Sequence, residues 1–170
     1  MRKKLLIIIG IVMFIYAVIF AIIISGTIIL PSYVYENEKL IASKLNTANK
    51  INYHRGVQNG ITTVTCGKMT GMDVIWKYDT SEDVSMQMCY TLQVTSGKAK
   101  LILIRSDNTN STLVEQDSST EETTVSDTTS ATEQQCTLDL KKGRNKIKIV
   151  CEKGTSFALS FQISEMNAHQ

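Results

Sequence analysis

The chain has 170 residues, 43% of them hydrophobic and 6% aromatic, with a formal net charge of +2. That length leaves room for one modest core, and the near-neutral balance argues against a nucleic-acid-binding protein. Four cysteines and two histidines, all far apart, exclude a zinc cluster of closely spaced ligands and a readable Ser-His-Asp or Cys-His site.

Met1-Arg2-Lys3-Lys4 precedes an uncharged apolar run over residues 5–30, interrupted by Gly10, Tyr16, Ser25, Gly26 and Thr27 and closed by Pro31. As a helix the run would extend about 39 Å, against a hydrocarbon core of about 30 Å, which predicts a single transmembrane helix. Cationic residues before the span and the bulk of the chain after it put the N-terminus in the cytoplasm and the remainder outside the cell membrane. A cleaved signal is the alternative, disfavoured by the length of the run and by Ile23 and Ile24 at the upstream small-residue positions. The layout expected is a cytoplasmic tip and signal anchor over 1–31, a partly helical juxtamembrane stalk over 32–60, and an extracytoplasmic β-domain over 61–170.

Within the stalk, Leu40, Ile41, Lys44, Leu45, Ala48 and Ile51 approximate helical spacing over 33–53, with Glu36 and Glu38 near the start, where a helix favours negative charge. Beyond Gly60 the pattern turns to runs of Thr, Val, Ile and Tyr that alternate in twos. Strands are predicted near 61–66, 70–78, 84–95, 98–105, 112–115, 135–140, 146–152 and 156–163. The cleanest is 84–95, where Val84, Met86, Met88, Tyr90, Leu92 and Val94 share one face. Short strands, each with one apolar face, predict an all-β fold, an antiparallel β-sandwich of jelly-roll type following the helix. Residues 117–133 are rich in Ser, Thr, Asp and Glu, cannot pack a core, and read as a mobile acidic loop. Lys141, Lys142, Arg144, Lys146, Lys148 and Lys153 crowd the next stretch; with Asp139 and Glu152 among them and no stacking aromatics, a solvated hairpin face is the reading, without nucleic acid.

The segment Leu138-Asp139-Leu140-Lys141-Lys142-Gly143-Arg144-Asn145-Lys146-Ile147-Lys148-Ile149 resembles the late strands of galactose-binding-like jelly rolls, the fold of many carbohydrate-binding modules. Residues 70–78 and 94–104 also resemble segments of small exported bacterial β-sandwich proteins. The resemblance implies a fold and no particular ligand, because no loop matches a sugar-binding constellation.

Trp76 and Tyr78 are the candidate binding residues, as sugar-stacking rings; their shared phase with Met72 and Val74 equally fits a buried core face. Asp79, Glu82 and Asp83, or Asp107, Asn108 and Asn110, offer oxygens for calcium without a calcium-loop spacing, so no metal or cofactor is expected. His54 and His169 read as surface residues. If Leu140 faces Ile147 across a hairpin, the same register sets Cys136 opposite Cys151. Outside the cytoplasm that pair permits a disulfide, and two buried free thiols are the equal alternative. The function expected is a non-catalytic, membrane-anchored binding or interaction module. Its partners would be the membrane and either a cell-surface glycan or another membrane protein, the alternative being a structural subunit of a membrane complex.

Overall fold

The computed structural model describes residues 2–118 and 133–165, and on the first helix the side chains of 9–23 and 33. Helix α1 (Arg2–Tyr33) leads into a one-turn helix α2 (Glu38–Ala42). Seven strands follow among the described residues: β1 (Ala48–Gln58), β2 (Ile61–Thr80), β3 (Val84–Ser96), β4 (Lys98–Ile104), β5 (Asn110–Asp117), β6 (Gln134–Leu140) and β7 (Gly143–Glu165). All of their pairings are antiparallel.

β2 and β7 are long because each serves two layers. In the first layer the early part of β2 lies between β1 and the late part of β7, which continues to β3 and β6. In the second, the late part of β2 pairs with the early part of β7, which continues to β4 and β5. The strands change layer where β2 shifts register between Cys66 and Gly71 and where Gly154 of β7 adopts φ +78°. Bulges and a left-handed glycine supply the bend that lets one strand turn a corner.

The inner faces of the two layers enclose one core. Val64, Met69 and Ile75 of β2 meet Met86, Met88 and Val94 of β3, Leu101 and Leu103 of β4, Leu138 and Leu140 of β6, and Ile147, Ile149, Phe157 and Leu159 of β7. Tyr90 of β3 is buried in phase with Met86 and Met88, as its alternation predicted. A second apolar cluster forms on the outer face of the second layer. Val34, Tyr35 and Ile41 pack there on Met72, Ile102, Ile104 and Val150. The sheet face that would ordinarily meet water is therefore covered by the segment that follows α1.

Three sequence expectations change. Helix is confined to Glu38–Ala42, stopped by the Ser43 hydroxyl on the Leu40 carbonyl at 2.6 Å, and residues from Ala48 onward form the edge strand β1 instead of a stalk helix. The predicted strands 61–66 and 70–78 are one bent strand, as are 146–152 and 156–163. The hairpin that would bring Cys136 to Cys151 does not form: Leu140, Leu138 and Cys136 pair with Val84, Met86 and Met88 of β3, whereas Cys151 lies between Gly71 and Ala99.

Asn145 is the physical reason for that last difference. Fully buried, it donates to the carbonyls of Lys141 (2.7 Å) and Gly143 (3.0 Å) and accepts from the Lys141 amide (3.1 Å). Those bonds hold 141–145 as an arch between layers. The acidic loop expected over 117–133 falls mainly on 119–132, outside the described residues.

Candidate functional site

Trp76 and Tyr78 stack on one another, with ring centroids 5.5 Å apart and planes 3° from parallel. The register shift between Val74 and Trp76 sets Trp76 opposite Ile147, so the pair points to the inner side of the layer and packs against the core while staying half-buried. Their exposure follows from position: β1 pairs with β2 only as far as Gly71, leaving 73–80 as a sheet edge.

That edge is closed by side chains. Asn46 accepts from the Val74 amide (2.9 Å), and Arg55 donates to the Ile75 carbonyl, blocking the backbone groups that would template another strand. Beside them Asp73 accepts from Lys50, from Asn46 (3.0 Å) and from the Tyr53 hydroxyl (2.9 Å). Burial pushes the Asp73 carboxyl up, but these three donors outweigh it and hold it below the usual carboxylate range. Tyr53 is pushed up to about 12 by burial and by its bond to Asp73.

The outer face of the second layer carries the features that sequence reasoning missed. Lys148 is fully buried under α2 with no carboxylate beside it. Its ammonium donates to the carbonyls of Ile41 (2.8 Å), Ser43 (3.1 Å) and Leu45 (2.6 Å), and lies 3.3 Å from the Met72 sulfur. A cation at the C-terminal end of a helix is favourable, yet burial and the neighbouring Lys146 lower its pKa to about 8. Tyr35 secures the start of the same segment, donating to Glu115 at 2.8 Å beneath the Lys100 ammonium, 4.4 Å from its ring centroid.

Past α2 along this face lies a cleft of about 520 Å³ lined by Lys44 and Asn46 from the linker, Val74 and Lys77 of β2, Ser106 and Asn108 of the β4–β5 turn, and Arg144 and Lys146 of β7. Part of the basic stretch read as a solvated hairpin face therefore forms one wall of a cleft. A second depression, of about 620 Å³, sits at the β1–β2 turn and has no charged side chain in its lining.

The acidic candidates for calcium are otherwise engaged. Asp79 pairs with Arg144 (3.1 Å), Asp83 with Lys141 (2.7 Å) and the Lys142 amide, and Asp107 with the Thr109 amide and hydroxyl. Among the described residues no three Cys, His, Asp or Glu side chains converge as a metal site. His54 is exposed on β1, and His169 lies outside the described residues. All four cysteines are free thiols; burial raises the pKa of Cys151 far above the ordinary thiol value and also raises that of Cys136, which lowers the thiolate fraction of both.

No family model matches the chain, and no curated protein does. Among solved structures it is similar to a carbohydrate-binding module of Cellvibrio mixtus lichenase 5A in complex with cellotriose, at 12% identity and a TM-score of 0.40, over 71% of this chain and 91% of that one. It is also similar to a CBM4 structure at 11% identity and a TM-score of 0.37, over 84% of this chain and 98% of that one. These neighbours are jelly-roll β-sandwich modules, the class that the 138–149 segment resembles. A likeness this distant transfers no ligand.

Proposed function

We propose that the chain is a single-pass membrane protein, N-terminus in the cytoplasm, whose β-domain lies outside and acts as a non-catalytic binding module. The observation that carries this reading is the docking of the segment after α1. Val34 and Tyr35, the first residues beyond the helix, are buried on the sheet, and three carbonyls of 41–45 close on Lys148. A helix apolar on all sides needs an apolar environment, and the described α1 side chains are exposed all round, Phe14 at 70% and Met13 at 67%. Among the described residues no helix is long and apolar enough to cross a membrane, so the span rests on the sequence of 5–30 together with the 32 residues of continuous helix. A β-domain fastened to its helix without slack presents fixed faces to whatever adjoins the membrane, which suits recognition.

External protease added to intact cells tests it: the β-domain is digested while fragments of α1 stay with the membrane, and mass spectrometry finds the chain intact from Met1. Complete protection of the domain, or a mature N-terminus near Thr27, would overturn the reading. Carbohydrate is a second reading for the bound partner, favoured by the half-buried Trp76–Tyr78 stack beyond the end of the β1–β2 pairing. A glycan array probed with the full chain and with Trp76→Ala decides it, signal retained in the variant counting against these rings.

A further inference from the structure

We propose that the cleft between the α2–β1 linker and the β4–β5 turn is a binding site for a phosphate-type oxyanion, with Lys44, Lys77 and Lys146 supplying the charge.

The strand register makes the case first. Lys77 and Lys146 are direct partners across the β2–β7 pairing, and like charges placed opposite one another destabilise a sheet. The adjacent outward pair shows what the same register achieves when only stability is at stake: Asp79 stands opposite Arg144, with Nε 3.1 Å from Oδ2. Lys44 adds a third ammonium from a segment about thirty residues away in sequence, and the cleft lining holds four cations and no carboxylate.

One member of the pair is held in place, while Lys77 and Lys44 are exposed. Lys146 is half-buried and tied to the Ser43 carbonyl at 3.2 Å, so its charge stays at the wall of the cleft. Burial first, then Lys77 and Lys44, push its pKa down, in line with three cations facing one another. Of the acids around the cleft, Asp79 is engaged by Arg144, Asp73 by Lys50, Asn46 and Tyr53, and Asp107 by Thr109.

The chemistry of the donors selects the ligand class. Three ammonium groups are compact point charges with several donors each, unlike the planar fork that suits a lone carboxylate. Lining one cleft of about 520 Å³, they suit a polyvalent tetrahedral oxyanion whose oxygens can meet several cations at once. The Asn108 side chain at the β4–β5 turn adds an uncharged donor to the lining. The chemistry is that of a phosphate monoester or diester, whether free, polymer-borne or on a lipid headgroup.

The full chain in nanodiscs of zwitterionic phosphatidylcholine, titrated calorimetrically with pyrophosphate, tests the proposal. Binding is expected to weaken steeply with added sodium chloride, and by about tenfold in each of Lys44→Gln and Lys77→Gln. Lys68→Gln and Lys153→Gln, which lie outside the cleft, should bind as the parent does. Because Lys146 also holds the linker, the two exposed lysines carry the test. Lys77→Glu separates ligand binding from folding: opposite Lys146 it replaces repulsion by attraction, so it should raise the melting temperature while abolishing pyrophosphate binding. Repeating the titration in nanodiscs containing phosphatidylglycerol distinguishes the sources, since competition identifies a lipid headgroup and unchanged affinity a soluble or polymer-borne phosphate. Pyrophosphate binding that is absent, or equal in the parent and in Lys44→Gln and Lys77→Gln, would overturn the site and leave the membrane topology untouched. A lowered melting temperature in Lys77→Glu would refute the repulsion argument.

Discussion

Replacing Lys148 by methionine tests the docking of the segment after α1 most directly. The thioether fits among Met72, Ile41 and Val150 without a charge, but it cannot donate to the carbonyls that the ammonium serves. Ser43 keeps its bond from Lys146, so the carbonyls left without their donor are those of Ile41 and Leu45. At about 1–3 kcal/mol for each acceptor that loses its cation, buried at Ile41 and part-buried at Leu45, the docked state loses at most about 2–6 kcal/mol. Part of this returns. A lysine whose pKa falls from 10.5 to about 8 carries roughly 3 kcal/mol of burial cost at neutral pH, which methionine does not. The balance centres on about 1 kcal/mol of weakened docking, about fivefold in the opening equilibrium.

Hydrogen exchange followed by mass spectrometry reads that balance locally. Amides of Asn37, Leu40, Ile41 and Ser43, which bond within this segment, should exchange about fivefold faster in Lys148→Met, with the sheet amides of β3 and β7 unchanged. A pH series adds a second signature. The folded pKa of Lys148 is depressed, so between about 8 and 10.5 the unfolded chain binds more protons than the folded one and stability rises with pH. That rise should be present in the parent relative to Lys148→Met, since groups that do not interact with Lys148 cancel in the difference. Unchanged or slower exchange over 34–47 in the variant would refute the carbonyl cage as the docking element, as would a stability difference that is flat across this pH range.

Asp73→Asn should destabilise the domain by about 1–3 kcal/mol in urea unfolding, because Lys50 loses its counter-ion. Since the folded pKa of Asp73 lies below 3.8, its contribution is present above that value and lost as pH falls through the folded one, so the variant should show a shallower acid transition. Gly97 has φ +76°, and a Cβ there would sit 2.7 Å from the Thr155 hydroxyl, which itself donates to the Lys98 carbonyl; Gly97→Ala should cost about 1–3 kcal/mol by thermal unfolding, and a neutral result would dispute the β3–β4 turn. Alkylation of the unfolded, unreduced protein should label Cys66, Cys89, Cys136 and Cys151 alike; a peptide crosslinking Cys136 to Cys151 would contradict the pairing of β6 with β3.

What could be read from residues alone follows the wetting of each strand. β3 alternates cleanly because one face meets the core and the other water, so Met86, Met88 and Tyr90 announce themselves. β1 gives no such signal. It is an edge strand with Tyr53 half-buried among exposed neighbours, and Asn49, Lys50, Asn52 and His54 obscure any period of two. The bends were misread as gaps, since Gly67-Lys68 and Lys153-Gly154 carry turn residues inside strands that continue through them. The Cys136–Cys151 register is not legible because nothing in the sequence distinguishes a hairpin turn from the arch between layers that the buried Asn145 builds.

The basic stretch shows a deeper reason why the site was only half visible. Lys146-Ile147-Lys148-Ile149 alternates as a strand with one buried and one solvated face, and by that rule both lysines belong in water. The rule assumes that nothing covers the second face. Here the segment after α1 does, and it divides the two lysines by position: Lys148 lies beneath α2 on backbone carbonyls, while Lys146, two residues earlier, lies where that cover ends. The cover is itself polar at the contact, made of the Ser43 carbonyl that both ammonium groups share, so the lysines are what allow an apolar sheet face to accept a chain whose helix has stopped. Charge at these positions is thus a consequence of the docked segment, and the exposed Lys77 and Lys44 beside them are the part that docking does not explain. That unexplained remainder is what directs attention to an anion.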